Sequence, residues 1–168
     1  MYITKTVLIL IIIPAVFYDL RNYRIPNRLI LLGYILGMVF RLREGLPGLV
    51  SFAAGVLLPV ISLILLQRAG ILGGGDIKLL SVTGGFLGLQ ECLKCMVLSF
   101  LFAAALSLML IVRRRNFKHR ICYFLKFIQT VVHTGKWIPY YDIARDGYDS
   151  TMHFSAAVLL AVLLVLRK

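Results

Sequence analysis

Acidic side chains are what this sequence has least of. Seven Asp and Glu stand against nineteen Lys and Arg in 168 residues. Charge of either sign is sparse, at 15% of residues, where a soluble domain carries about 25%. With 60% hydrophobic residues and a mean hydropathy of +0.90, a soluble globular domain is excluded, and the chain reads as an integral membrane protein. Cysteine is short too. Cys92, Cys95 and Cys122 supply a single C-x-x-C pair, too few for a two-pair tetrahedral zinc site. An ordinary pair of apolar-surface cysteines is the expectation for "CLKC", and neither metal nor cofactor is expected. His119, His133 and His153 form no recognisable catalytic constellation, and no Ser/Lys or Ser/His arrangement points to a serine protease.

What is abundant is apolar sequence in runs. They predict an all-α polytopic membrane fold with about six spans: Ile3–Tyr18, Ile25–Phe40, Leu49–Leu66, Ile77–Leu89, Cys95–Val112 and Met152–Leu166. Several fall short of the ~20 residues that cross a typical hydrocarbon core, which local thinning or snorkelling flanks accommodate. The first run lacks a small-residue cleavage site and runs straight into polar sequence, so it reads as a span rather than a signal peptide. Little polar sequence remains, and residues 1–168 read as one membrane domain.

Lys and Arg set the orientation. Thirteen, from Arg21 to Arg145, fall in loops after spans one, three and five, and six fall on the other side. The positive-inside rule places the thirteen in the cytoplasm and both termini outside, in the cell (plasma or inner) membrane. The net charge of +12 is then mainly a topology signal, with lipid attraction as a by-product; nucleic-acid binding by the Arg113–Arg115 run is not expected. Within the basic loop, 113–151, Ile121, Phe124, Leu125, Ile128, Val131 and Val132 recur at helical spacing. That pattern predicts a helix lying in the membrane surface; if Ile121–Val132 crosses instead, the spans become seven.

So few acids can each be weighed. Glu44 and Glu91 are expected in short loops, and Asp142, Asp146 and Asp149 on a wet surface. Asp19 and Asp76 abut apolar spans, where a carboxylate in hydrocarbon costs about 3 kcal/mol even on lenient scales. Asp19 follows span one, and two further spans return the chain to the same face at Asp76. The two carboxylates can meet if the first and fourth helices pack together. Gly73, Gly74 and Gly75 are expected to let the backbone bend and other groups approach, with Asp76 near a helix N-terminus. A helix cap plus an unrelated juxtamembrane acid explains the same positions equally well.

The wording around both acids carries more. "DLRNYRIPNRL" (Asp19–Leu29) and "GGGDIKLL" (Gly73–Leu80) together resemble the type IV prepilin peptidase family of membrane aspartyl proteases. Ile25-Pro26-Asn27 stands six residues after Asp19, and Gly73, Gly75, Asp76 and Lys78 fill a G-x-G-D-x-K motif. The closing "HFSAAVLLAVLL" is similar to the family's last helix. The resemblance implies an aspartic endopeptidase with Asp19 and Asp76 as its catalytic pair and Gly73, Gly75, Lys78, Ile25, Pro26 and Asn27 as supporting motif. It implies prepilin or pseudopilin substrates, cut at the cytoplasmic membrane edge after a short basic leader.

Two carboxylates suit amide hydrolysis. One, ionised, draws a proton from the attacking water, while the other, protonated, donates to the carbonyl oxygen; close carboxylates share a proton because both cannot readily ionise. Lys78, two residues beyond Asp76, is expected on a different helix face, serving headgroups or substrate. Larger bacterial members resemble this chain but add a cytoplasmic segment with two C-x-x-C pairs, linked to N-methylation, for which support is lacking here. A G-x-G-D protease of the presenilin or signal-peptide-peptidase type is the nearer rival, though no P-A-L motif occurs. A non-enzymatic subunit of a pilus or secretion assembly is the other. Oligomeric state is not legible.

Overall fold

The computed structural model describes residues 2–114 and 153–167, and these are helical with short connections. Six helices are seen: α1 (Tyr2–Asn22), α2 (Asn27–Leu42), α3 (Gly45–Arg68), α4 (Gly74–Leu87), α5 (Leu89–Arg114) and α6 (Phe154–Leu166). The expected all-α fold is thus present. Three helices are long and apolar enough to cross a membrane, at Ile3–Asn22, Gly45–Arg68 and Leu89–Leu110, and α6 is a shorter apolar helix. The protein is a membrane protein. The surface helix expected at Ile121–Val132 and the basic loop around it lie outside the described residues.

α1, α3 and α5 run past both ends of their apolar runs. Asp19 therefore sits inside the last turn of α1 rather than after it. Glu91 and Cys92, expected between spans, lie in the first turn of α5, because Gly88 alone separates α4 from α5. A polar residue ends an apolar run but not a helix, since backbone hydrogen bonding continues through it.

At the centre stands α4, the helix in contact with all five others. Its 14 residues span only about 21 Å, less than a hydrocarbon core of about 30 Å. Burial explains why so short a helix is tolerated. Ile77 and Leu79 through Phe86 are buried without interruption, so protein rather than lipid surrounds it. Gly55 of α3 and Gly84 of α4 make this possible: a Cβ on either would run into the other's backbone carbonyl. Small residues at such a contact let helix backbones approach closely where lipid supplies no hydrophobic drive. Outward positions of α3, among them Leu46, Val50, Leu57, Ile61 and Leu65, stay exposed and apolar, as a lipid-facing surface requires.

The helices alternate between two ends of the bundle. α2 and α4 run side by side in the same sense, from Asn27 beside Lys78 to Arg41 beside Phe86. α1 and α6 run oppositely, with Asp19 against Ser155 at one end and Lys5 bonded to the Leu166 carbonyl at 3.0 Å at the other.

Candidate active site

At the first of these ends, α1 closes in a left-handed residue. Tyr23 has φ 53°, and its N–H bonds back to the Asp19 carbonyl at 2.9 Å. That turn reverses the chain into Ile25-Pro26-Asn27. Pro26 caps α2 at φ −61°, where the N–H it lacks is not needed. Asn27 opens α2, and its Oδ1 accepts a 3.0 Å hydrogen bond from Lys78 Nζ. Ile25 lies in van der Waals range of the space a side chain at Gly75 would fill. The two motifs, some 50 residues apart in sequence, are therefore joined at two points. Lys78 does point away from Asp76, as its spacing requires, and a motif residue receives it.

The three glycines act through closeness more than bending. Gly73 has φ −70° and ψ 142°, an ordinary extended conformation, and Gly74 and Gly75 are already helical. The positive-φ turn in this connection falls at Gly70, φ 69°. What Gly73 provides is room: a Cβ there would lie 2.9 Å from Asp76 Oδ2, because the carboxyl folds back over the helix start. A Cβ on Gly74 would press within 2.8 Å of Gln67 Nε2. Asp76 is the third residue of α4, where the orphan N–H groups of a helix favour negative charge.

Asp19 reaches the same place from α1. It is buried, while Asp76 is half-buried. α1 and α4 pack together, as a shared site requires. Among the described residues no Lys or Arg forms an ion pair with either. Asp19 has two partners that the sequence did not reveal. Ser155 Oγ donates to Oδ2 at 2.5 Å, and His153 Nδ1 stands 3.5 Å from the same oxygen. The His153 ring stacks on Tyr23 with centroids 4.6 Å apart. His153, for which the sequence suggested no partner, thus stands beside Asp19; His119 and His133 lie outside the described residues.

Against this geometry, the model of the type IV leader peptidase family matches residues 6–108, well over half of the chain and inclusive of both aspartates. The chain belongs to the type IV leader peptidase family. It is thus a member of a protease family, and its membrane helices agree with that membership. No curated protein and no solved structure matches the chain.

Elsewhere the peptidase corrects a further expectation. Cys92 and Cys95 are not on an apolar surface but buried in the core, with Cys92 directed at the Gly55 carbonyl. Buried cysteines of this kind behave as small hydrophobes. Among the described residues no three His, Cys, Asp or Glu gather as metal ligands would.

Proposed function

We propose that the chain is an aspartic endopeptidase that removes the short basic leader of prepilin or pseudopilin precursors, using Asp19 and Asp76 as one proton-sharing pair. What supports this reading is that α1 and α4 pack together with a carboxyl on each at one end of the bundle, and that no Lys or Arg is paired to either among the described residues. Structural acids are commonly neutralised by a nearby cation; two brought instead to one end of a bundle are candidates for proton transfer. Water held between them loses a proton to the ionised carboxylate as its oxygen adds to the scissile carbonyl. The protonated carboxyl donates to the carbonyl oxygen as negative charge develops there. Collapse of the tetrahedral intermediate then returns a proton to the departing amine, and the pair is ready again.

The supporting residues have assignable parts. Gly73 and Gly75 leave room for the Asp76 carboxyl and for Ile25, while the Lys78–Asn27 bond fixes the turn after α1 against α4. In this reading all six helices cross the bacterial inner membrane, and the end bearing the pair faces the cytoplasm, where the positive-inside excess lies. Reporters inserted within residues 23–26 and 69–73 should both read cytoplasmic; opposite readings would separate the acids by a bilayer. The chemical test is co-expression with a prepilin-like precursor, followed by leader removal as a gel shift. Asp19→Asn and Asp76→Asn should each accumulate in membranes and cleave nothing. Normal processing by either variant at matched levels would overturn the proposal and leave a non-enzymatic assembly subunit as the reading.

A further inference from the structure

Buried hydroxyls in this bundle mostly take a local partner. Thr83 Oγ1 donates to the Leu79 carbonyl at 2.9 Å and Ser99 Oγ to the Cys95 carbonyl at 2.7 Å, each four residues back in its own helix. That is the ordinary solution for a hydroxyl in a lipid-embedded helix. Ser155 departs from it. It is fully buried, and it spends its proton on a carboxylate of another helix, 136 residues away in sequence. It stands in the first turn of α6. The same place puts the Asp19 carboxylate at the N-terminal end of α6, where the helix dipole favours negative charge.

The contact is also one-sided. Among the described residues both polar contacts of Asp19, from Ser155 and from His153, fall on Oδ2, and none falls on Oδ1. A hydrogen bond held on one carboxylate oxygen restrains rotation about the Cβ–Cγ bond, so the other oxygen keeps a preferred direction.

We propose that Ser155 is a positioning residue for peptide hydrolysis: it holds Oδ2 of Asp19 so that Oδ1 is left to take the proton of the water shared with Asp76. This rests on the assignment of Asp19 and Asp76 as the catalytic pair. Ser155 is buried behind Asp19 and need not touch the substrate, so its contribution belongs to the chemical step and not to substrate capture. Hydrogen bonds to charged groups are the stronger class, which sets the scale of the loss.

The test uses the full-length protein in detergent with a prepilin-like precursor. Ser155→Ala should lower kcat roughly 10- to 100-fold with KM unchanged. Ser155→Cys, close in volume and with a weak S–H donor, should fall between Ser and Ala, a partial rescue that packing alone does not produce. The Cys variant also carries the comparison if Ala lowers the yield. An unchanged kcat in both variants, or a loss confined to KM, would overturn the role of Ser155. Asp19→Asn is assayed alongside: if it is dead while Ser155→Ala is normal, the pair stands and only Ser155 falls. If Asp19→Asn itself cleaves, the pair falls first.

Discussion

At the Lys5 end of the bundle, Glu44 and Glu91 each lie 2.6 Å from a cation three residues away in sequence, Arg41 and Lys94. At the other end lie Asp19, beside a hydroxyl and an imidazole, and Asp76, neither of them paired with a Lys or Arg among the described residues. The two ends belong to the same helices and would meet similar interfaces. What separates them is neutralisation. An exposed acid beside its cation needs no further explanation, whereas two acids brought together in partial burial raise each other's cost and are kept only by what else they do. Arg41 makes the point from the opposite side: besides Glu44, it donates to the Phe86 carbonyl at 2.9 Å and so closes the C-terminus of α4. Charge there serves the fold.

The contrast is broken most directly by replacing each acid with its amide. Asp19→Asn and Asp76→Asn should each depress leader cleavage by at least about a thousandfold, since Asn keeps the shape but cannot exchange the proton. The double variant should be little worse than either single one, because the residues act as a unit. Comparable losses from Glu44→Gln would erase the distinction between the two ends.

Glycines sharpen it next. Gly73→Ala places a Cβ 2.9 Å from Asp76 Oδ2, the mobile tip of a side chain, so the carboxyl yields and the fold does not. Activity should drop roughly 10- to 100-fold through misplacement, with thermal stability nearly unchanged. Gly84→Ala meets the Gly55 backbone, which cannot yield cheaply. Overpacking there should cost about 1–3 kcal/mol, read as earlier unfolding in detergent. Were Gly73→Ala to destabilise and Gly84→Ala to spare the fold, the division between site glycine and packing glycine would be wrong.

How much of this was legible beforehand follows from the same physics. The helical class and the pairing of the first and fourth helices follow from the apolar runs and from the two motifs they carry. Helix ends were not legible: the first run stops at Asp19 and the fifth begins after Lys94, whereas the backbone hydrogen bonding of α1 and α5 carries through both residues. Bending was assigned to Gly73–Gly75 because glycine permits it, but Gly70 takes the positive φ and Gly73 is held by crowding. Ser155 was invisible for another reason. A serine among alanines in an apolar helix is unremarkable in sequence, and only the docking of α6 along α1 gives it a partner.

A smaller effect is expected where the two motifs are joined. The Lys78–Asn27 hydrogen bond is exposed, so its net worth is about 0.5–1.5 kcal/mol at most. Lys78→Ala and Asn27→Ala should each reduce cleavage only several-fold, and the double variant should match the singles, since each removes the same bond. Additive losses would mean that Lys78 also meets substrate or lipid on its own account.

The least effect belongs to the Glu91–Lys94 pair. Both side chains are well exposed, at 40% and 58%, and the pair joins positions i and i+3 of one helix. Solvent screens such a pair, and holding two long side chains together costs entropy, leaving about 0.3–0.5 kcal/mol. Glu91 also stands in the first turn of α5, where negative charge gains a few tenths more from the helix dipole. Glu91→Gln should therefore lower stability by less than about 1 kcal/mol and leave cleavage within about twofold of the parent protein, with the small difference fading as salt is raised. A loss approaching that of Asp76→Asn would show that this acid, paired and distant from the site, takes part in the reaction or in the route the substrate follows to it, and the distinction between neutralised and unneutralised acids would no longer separate structural residues from catalytic ones.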